Sequence, residues 1–376
     1  MKIGVPKEIK LHEYRVALVP AGVRELTLSG HTVLVQRGAG TGIGFEDAAY
    51  ESAGAAIVET AEDVFAAADI IVKVKEPQPE ECRMLRGGQL LFTFLHLAPD
   101  PAQAAALVAS GCTAIAYETV TGPDGTLPLL APMSEVAGRM AAQVGALCLE
   151  LEHGGAGVLL GGVPGVMPAR VVILGGGVAG TNAARMAVGM EATVTIVDKS
   201  VERLRRIDEQ FHGRLRTVFA TSDAIESLVS GADLVVGAAL VPGALAPKLV
   251  TRRMINMMKP GSAVVDISID QGGCFETSRP TTHAEPIYIL DGVVHYCVAN
   301  MPGAVARTST LALSNVTLPY LIALADKGWR RACAEDPGLL NGLNVHDGAI
   351  TNAAVANAVQ SSYRPGLDIV LSRPQS

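Results

Sequence analysis

The sequence predicts an α/β protein of two doubly wound domains, one inserted into the other and joined by long helices. The chain has 376 residues, which is more than one ordinary domain needs. Short apolar runs alternate with helical segments along most of it, and two long helical stretches bracket the second such series. Strands separated by helices are typical of mostly parallel sheets covered on both faces.

The composition is consistent with large cores and excludes some classes of partner. Hydrophobic residues make up 49% of the chain and charged residues 18%, so sizeable cores can form. A net charge of -7 and a pI near 5.7 give no basic field for nucleic acid. The six cysteines form no Cys-x-x-Cys pair and no zinc-like spacing, so we expect buried thiols and no metal site.

The sequence also bears on location. The N-terminus has no signal-peptide pattern. The mean hydropathy of +0.32 raises the question of a membrane segment. The longest uncharged runs are nevertheless too short for a typical span and are interrupted by Gly, Pro or polar residues. We therefore expect a cytoplasmic protein without a membrane partner.

The first third of the chain carries the first series of strands and helices. Helical periodicity is present at Ala21–Ser29 and Pro101–Ser110. Buried strands are predicted at Lys2–Val5, Thr32–Gln36, Ile70–Val74, Leu90–Phe94 and Thr113–Ala116. This order predicts the first, mostly parallel sheet.

A long linking helix is predicted at 134–153. Ser134 is a favourable helix-capping residue, and the run from Glu135 to Glu152 contains no proline. A loop rich in glycine and proline follows at 154–168. The strands of the second series are predicted at Arg170–Leu174, Thr193–Val197, Thr217–Phe219, Leu234–Val236 and Ala263–Ile267.

The chain returns to helix after about Met301. Thr310–Ala325 has apolar residues at helical spacing, and the tail from Gly328 on is too short for a domain of its own. We therefore expect the tail to pack on the first domain. The predicted domains are 1–133 with 302–376, and 134–301, the latter including the linking helix 134–153.

The first strand–helix connection of the second series has a dinucleotide-binding pattern. Gly175, Gly177 and Gly180 fit G-x-G-x-x-G between an apolar strand and a helical segment that runs from about Val178 to Gly189. The first glycine permits a tight turn, the second lets a pyrophosphate approach the backbone, and the third lets the helix pack on the strand. The helix N-terminus offers N–H groups and partial positive charge to the phosphates.

The alternative is a chance glycine turn in a chain that has 40 glycines. The complete order of strand, loop, helix, strand and terminal acid favours a Rossmann-like domain that binds NAD. The acid is Asp198, whose carboxylate accepts hydrogen bonds from a ribose 2′-hydroxyl and repels a 2′-phosphate. Lys199 and Arg203 weaken this preference for NAD over NADP without reversing it.

Charged side chains in the first series are candidates for substrate chemistry. Lys75, Glu76 and His96 follow predicted strands, and ligands bind at the carboxyl ends of strands in open α/β sheets. With Arg15, Lys75 and His96 offer cations for a small acid and an imidazole for proton transfer. Lys75 is equally compatible with a solvated surface lysine, since Lys73 shows that the strand accepts lysine.

The other two candidates also have structural alternatives. His96 lies between two leucines and is compatible with a core histidine bonded to backbone. Arg15 is compatible with an ion pair to Glu13 or Glu8. Spacing alone does not decide between these roles and substrate binding.

The second series ends in two more candidate segments. Asp270 lies in a loop after an apolar strand, where the nicotinamide end of a dinucleotide is expected. Asp266, closer to the strand, is expected to cap the backbone. Asn300 to Gly303 predicts a tight turn before a helix at the domain junction.

Several long segments, in this order, resemble one family. They are GVPKEIKLHEYRVALVP, VKVKEP, LFTFLHLAP, MSEVAGRMA, VVILGGGVAG, DISIDQGGC, THAEPIYILDGVVHYCVANMPGAVARTST and NVHDGAITN. Over essentially its whole length the chain resembles the L-alanine dehydrogenases, a group that also holds the NAD-binding part of proton-translocating transhydrogenase. Several ordered motifs are far more specific than the glycine loop alone.

The resemblance implies reversible oxidative deamination of L-alanine to pyruvate and ammonium, with NAD as cofactor. It implies that His96 is the general acid/base, that Asp270 assists it, and that Arg15 and Lys75 hold the substrate. The residues it implies for NAD are Ser134, Gly175, Gly177, Val178, Ala179, Gly180, Asp198, Arg203, Ala239, Leu240, Ile267, Ser268, Ile269, Arg279, Val298, Ala299, Asn300 and Met301.

The resemblance also implies an organisation. Residues 1–133 and 302–376 are expected to form the substrate domain, 134–301 the NAD-binding domain, and six chains a homohexamer. The chain departs from the family pattern at Ala220, where Ser is frequent, and at Arg203, where Lys is common. Both departures concern cofactor affinity and leave the implied chemistry intact.

Two other functions stay open from the sequence. One is a transhydrogenase-type subunit that binds nucleotides as part of a membrane complex. Lys75 and His96 argue against it, because a subunit that passes hydride between nucleotides needs no amino-acid pocket. The other is an opine- or saccharopine-type dehydrogenase with a larger substrate.

Overall fold

The computed structural model describes residues 1–239 and 245–372. The chain divides into two compact units, one from Met1–Pro132 with the chain from Val305 on, the other from Met133–Ala304. Each unit contains one large sheet. Because both sheets are dominated by parallel pairs, the predicted α/β class is confirmed.

The first unit begins with a regular alternation of strands and helices. Its elements are β1 (Lys2–Val5), α1 (Pro20–Leu28), β2 (Thr32–Gln36), α2 (Asp47–Ser52), β3 (Ala56–Val58), α3 (Ala61–Ala67), β4 (Ile70–Val72), α4 (Pro79–Met84), β5 (Leu90–Thr93), α5 (Pro101–Ser110) and β6 (Thr113–Ala116). Local chemistry sets several helix starts. The side chain of Asp100 accepts a hydrogen bond from the N–H of Gln103, and Pro101 takes the first helical position.

The linking helix, α6, spans Ala131–Cys148, so the prediction of a helix over 134–153 is wrong at both ends. Pro132 lies in the first turn, where its missing N–H costs nothing and its fixed φ suits a helix. Ser134 therefore lies inside the helix and does not cap it. A separate 3-10 helix, Leu151–His153, ends at Gly154 in the left-handed conformation.

The second unit carries the second sheet. Its elements are β7 (Arg170–Leu174), α7 (Val178–Gly189), β8 (Thr193–Asp198), α8 (Val201–Phe211), β9 (Arg216–Phe219), α9 (Ser222–Gly231), β10 (Leu234–Gly237), α10 (Arg252–Asn256), β11 (Ala263–Asp266), β12 (Ile287–Leu290) and β13 (Val293–Tyr296). The strand order is β12-β13-β11-β10-β7-β8-β9. The order reverses between β7 and β10, which is the position where doubly wound sheets bind ligands.

The chain then returns to the first unit. The remaining elements are α11 (Ala306–Lys327), α12 (Trp329–Glu335), α13 (Pro337–Asn341), β14 (Leu343–His346), β15 (Ala349–Ile350), α14 (Ala353–Val359) and α15 (Gly366–Leu371). Strand β14 pairs antiparallel with β6. The first sheet is thus ordered β15-β14-β6-β5-β4-β1-β2-β3, and its order reverses between β1 and β4.

Helix α11 packs into the first unit. In the described chain, only the stretch Met301–Lys327 is long and apolar enough to cross a membrane by length and composition, and 44% of its most apolar window is buried inside the protein. Its buried residues include Leu313, Leu321 and Leu324. Thr310 Oγ1 accepts a hydrogen bond from the N–H of Val16 (3.3 Å). These contacts make α11 part of this unit's core.

The central strands of both sheets supply the cores. Strands β4, β5 and β6 are buried along their whole length, as are β10, β11 and β13. All six cysteines are buried and unpaired, as predicted. Burial raises the pKa of the Cys82 thiol to about 11, which keeps it protonated at neutral pH.

Candidate active site

His96 lies just beyond β5 in a constrained turn of the first unit. Its backbone has φ +49°, in the left-handed region that non-glycine residues rarely adopt. The carboxylate of Glu118 accepts hydrogen bonds from the N–H of His96 (2.6 Å) and from that of Leu95 (3.2 Å). The imidazole stacks on Phe94 with ring centroids 5.6 Å apart. A fixed backbone and a stacked, 38% exposed ring do not match the buried core histidine considered above.

Lys75 and His96 meet at one carboxylate. Glu76 Oε2 lies 3.9 Å from Lys75 Nζ and 3.8 Å from His96 Nδ1, while Oε1 pairs with Lys10. Thr93 donates its hydroxyl hydrogen to the carbonyl of Lys75 (3.0 Å), which ties the ends of β4 and β5 together. The structure therefore brings two of the predicted substrate-site residues to one place, as their positions after neighbouring strands suggested.

Lys73 is a buried lysine. It therefore does not support the interpretation of Lys75 as a solvated surface lysine. The side chain of Lys73 is 0% exposed and Nζ donates to Glu8 Oε2 (2.9 Å) and Glu81 Oε1 (2.6 Å). Glu8 Oε1 also accepts from the N–H of Val74 (2.7 Å). Burial would lower the pKa of Lys73, but the two carboxylates raise it. This cluster lies where the first sheet reverses its order.

Arg15 is almost fully buried, at 2% exposure, and forms the predicted ion pair with Glu13. Its Nε and Nη2 atoms donate to the two carboxylate oxygens at 2.7 and 2.6 Å. This bidentate geometry uses one edge of the guanidinium group. The ion pair with Glu13 is thus present, and the alternative partner Glu8 pairs with Lys73 instead.

The glycine loop of the second unit has the predicted form. Gly175 has φ +105°, and a Cβ there would lie 2.7 Å from the carbonyl oxygen of Ala238. A Cβ at Gly180 would lie 1.8 Å from the oxygen of Gly175, so only glycine fits at both positions. Gly177 forms the N-cap of α7, and a Cβ there would meet open space. Helix α7 begins at Val178, as predicted.

Asp198 ends β8 next to this loop. Its Oδ2 accepts the N–H of Gly176 (2.8 Å) and Oδ1 that of Ser200 (2.8 Å). Arg203 Nη1 lies 3.4 Å from Oδ2 on the solvent side. The carboxylate therefore anchors the glycine loop, and each oxygen retains acceptor capacity.

Asp266 and Asp270, which both follow the core of β11, lie in different surroundings. Asp266 is buried and accepts the N–H groups of Ser268 (3.1 Å) and Cys274 (2.8 Å), which confirms its expected capping role. Burial raises the pKa of its carboxyl. Asp270 lies on the 3-10 helix Ile267–Gln271 and is exposed. Ser268 Oγ donates to the carbonyl of Ala239 (2.8 Å), so these two predicted residues are neighbours.

Other residues implied for the cofactor lie at several places in the second unit. The side chain of Arg279 covers the ring of Tyr288, with Cζ 4.3 Å from the centroid. Asn300 has a left-handed backbone (φ +66°) at the start of a turn that continues into the 3-10 helix Met301–Val305. Ser134 lies inside α6. Leu240 lies outside the described residues.

Glu118 and Glu8 were not identified from the sequence. Glu118 lies two residues after β6, so the rule of strand ends that selected Lys75 and His96 also applies to it. Glu76 was a candidate with Lys75 after the same predicted strand, but no role was predicted for it. Glu8 contacts Lys73 across 65 residues, and no local pattern indicates such a pairing.

The second unit has this glycine loop at the reversal point of a parallel sheet. The first unit brings lysine, histidine and glutamate together at strand ends. These two features are typical of a nucleotide-dependent dehydrogenase. Two family models match most of the chain: "Alanine dehydrogenase/PNT, N-terminal domain" at residues 4–137 and "Alanine dehydrogenase/PNT, C-terminal domain" at residues 141–353.

Known proteins agree with the family models. The chain is 62% identical to the alanine dehydrogenase of Halomonas elongata, over 96% of this chain and 98% of that protein. A solved L-alanine dehydrogenase superposes with a TM-score of 0.92 at 51% identity, covering 96% and 99% of the two chains. A transhydrogenase from Sinorhizobium meliloti gives 0.81 at 25% identity, covering 93% and 100%. The chain belongs to the alanine dehydrogenase family.

Proposed function

We propose that the chain is an NAD-dependent alanine dehydrogenase that converts L-alanine reversibly to pyruvate and ammonium. The observation that carries this proposal is the meeting of Lys75 and His96 at Glu76 Oε2. A cation and an imidazole in one place suit a small oxo or amino acid. The match to alanine dehydrogenases over almost the whole chain supports the same substrate.

NAD fits the second unit. The loop at Gly175, Gly177 and Gly180 admits no side chain at two of its positions, and helix α7 directs its first N–H groups, at Val178 and Ala179, toward a pyrophosphate. Asp198 would accept the ribose hydroxyls, and the other residues implied by the resemblance would complete the site. When bound, NAD supplies the hydride acceptor.

The residues of the first unit would hold the substrate and move protons. Arg15 would bind the substrate carboxylate through its guanidinium group, and Lys75 would polarise the carbonyl of pyruvate. His96 would take a proton from the water that adds to the imine of the oxidised amino acid and would return it as ammonium leaves. Asp270 would assist this exchange.

The decisive experiment is a panel of amino and oxo acids with NADH or NAD⁺, followed by NADH absorbance. Pyruvate plus ammonium should give the fastest NADH oxidation. No response to this pair would refute the proposal. A response confined to larger oxo acids would indicate an opine- or saccharopine-type enzyme, and hydride exchange between nucleotides alone would indicate a transhydrogenase-type subunit.

Two variants test the assigned roles within that assay. His96→Ala and Asp270→Asn should each lower kcat by about 10²- to 10⁴-fold, because each removes a group that handles protons. NADH affinity, measured by fluorescence titration, should stay near that of the wild type. Full activity in either variant would remove that residue from the mechanism.

We further propose a cytoplasmic homohexamer that needs no metal, nucleic acid or membrane. The resemblance supports this assembly. The segment 159–167 also exposes several large apolar side chains, which subunit contacts commonly cover; they are Leu159, Val163, Val166 and Met167. Light scattering of the purified protein measures the mass of the assembly directly, and a monomeric mass would contradict the proposal.

A further inference from the structure

Glu76 occupies an unusual position between two groups of the proposed substrate site. Its side chain is 14% exposed. Oε1 pairs with Lys10, whereas Oε2 is fully enclosed and accepts no hydrogen bond from the residues that the structure describes. Lys75 Nζ lies 3.9 Å and His96 Nδ1 3.8 Å from Oε2. Both distances exceed hydrogen-bond length.

An enclosed carboxylate oxygen without a hydrogen bond is costly unless something compensates its charge. Burial would raise the pKa of Glu76, but His96, Lys75 and Lys10 together hold it well below its usual range. The group is therefore ionised at neutral pH and has one oxygen directed at the His96 ring. Such an oxygen can accept the Nδ1 hydrogen after a small movement of either side chain.

The opposite side of His96 is already fixed. Glu118 holds its backbone N–H, and Phe94 stacks on its ring. The left-handed turn at His96 persists because these contacts over-determine it. Among the described residues, the charged groups paired with His96 or with Glu76 are Glu118 at the His96 backbone, Glu76 at its ring, and Lys75 and Lys10 at Glu76. These contacts leave the tautomer of the ring unspecified.

We propose that Glu76 is a positioning residue for His96, a role that rests on the proposed function of His96 as acid/base. Glu76 Oε2 accepts the Nδ1–H hydrogen bond in solution, after a small movement of either side chain, so that the neutral ring keeps its proton on Nδ1. The lone pair of Nε2 then faces the substrate and takes the proton from water. A carboxylate behind a histidine fixes the tautomer in this way in many sites.

The test uses Glu76→Gln and Glu76→Leu, with Glu80→Gln as the matched control. Glu80 is exposed on the next helix, α4, and its side chain forms no hydrogen bond or ion pair with the site residues Lys75, Glu76 and His96. Glu76→Gln keeps the shape and an acceptor oxygen but loses the charge, so kcat should fall about 10- to 100-fold. Glu76→Leu loses the acceptor as well and should fall further. Glu80→Gln should match the wild type.

Two readouts separate positioning from a merely structural effect. Loss of the negative charge should move the His96-dependent limb of the kcat/KM pH profile to lower pH by about one unit. In ¹⁵N-histidine spectra, with His96→Gln to assign the signal, His96 should shift from the Nδ1–H tautomer toward a mixture in Glu76→Leu. Lower activity without either shift would overturn the proposal, as would activity within twofold of the wild type in both variants.

The two proposals fail separately. If the wild-type protein does not turn over pyruvate and ammonium, the proposed function is wrong, and the nitrogen shifts of His96, recorded without substrate, still decide the role of Glu76. If Glu76→Leu does not fold, the near-isosteric Glu76→Gln supplies the pH profile. An unchanged pH limb in Glu76→Gln would then refute the positioning role.

Discussion

Two lysines that follow β4, Lys73 and Lys75, lie two residues apart in different surroundings. Lys73 lies in a closed cluster in which the oxygens of Glu8 and Glu81 all accept hydrogen bonds, from Lys73, from the backbone N–H of Val74 and from that of Gln78. Lys75 lies in an open cluster with Glu76, whose Oε2 accepts none among the described residues.

The difference separates structural from functional charge. A closed cluster has no capacity for a ligand, and its internal bonds fix where β1, β4 and α4 lie relative to one another. An open cluster keeps an acceptor and an ammonium group at longer distance, so both can rearrange when a substrate arrives. Lys73 therefore has a structural role and Lys75 a proposed functional one, although they lie two positions apart. What distinguishes them is whether all the oxygens of their carboxylate partners accept hydrogen bonds.

Removing Lys73 should have the largest effect on stability. Lys73→Met leaves two carboxylates buried without their cation, and breaking one member of a buried ion pair typically costs about 3–5 kcal/mol. Urea unfolding followed by circular dichroism measures this loss. Adding Glu81→Gln should recover part of it, because one uncompensated charge disappears. A loss below about 1 kcal/mol in Lys73→Met would mean that the cluster does not stabilise the fold.

Removing Lys75 should affect catalysis and leave the fold nearly intact. Lys75→Met should lower kcat/KM for pyruvate by roughly 100-fold, about 2.7 kcal/mol of transition-state stabilisation, with unfolding within about 1 kcal/mol of the wild type. Lys10→Met is the matched control, since it removes the other lysine that pairs with Glu76. It should change kcat/KM only a few-fold. A large loss of stability in Lys75→Met would show that Lys75, like Lys73, has a structural role.

Much of the fold was predictable because its signals are local. Strands β1, β2, β6 and β7 begin and end at the predicted residues, as do helices α5 and α7. The exceptions have physical causes. Helix α6 was predicted to begin at Ser134 but begins at Ala131, because the first turn of a helix accommodates Pro132. Five strands were not predicted: β3 and β15 have only three and two residues, β12 is only half-buried and forms a hairpin with β13, and β14 lies among short helices.

The candidate site was only partly predictable. The strand-end rule selected Lys75 and His96, which the structure brings together at Glu76. It did not separate Lys75 from Lys73, because the distinction depends on Glu8, which is distant in the sequence. Which side chains pair across a sheet depends on the order of the strands. No local sequence pattern predicts that order.

The smallest expected effect is on the pH dependence of stability, where the two clusters should differ in sign. The pKa of Glu76 is lowered in the folded state from its usual 4.5, so its contribution to stability is present above that pH and is lost as pH falls through the folded pKa. Burial raises the pKa of Glu8 despite Lys73, so its contribution is greatest at low pH and declines as pH rises above 4.5.

Unfolding of the wild type, Glu76→Gln and Glu8→Gln between about pH 2.5 and 7 tests this difference, because the contribution of Glu76 is lost only below its usual pKa. As pH falls, the cost of Glu76→Gln should shrink and the cost of Glu8→Gln should grow, because only the wild-type carboxyl titrates in each pair. Glu80→Gln corrects for the general loss of one surface carboxylate. Costs that change in the same direction would show that the open and closed clusters do not differ electrostatically, and that hydrogen-bond completeness alone separates them.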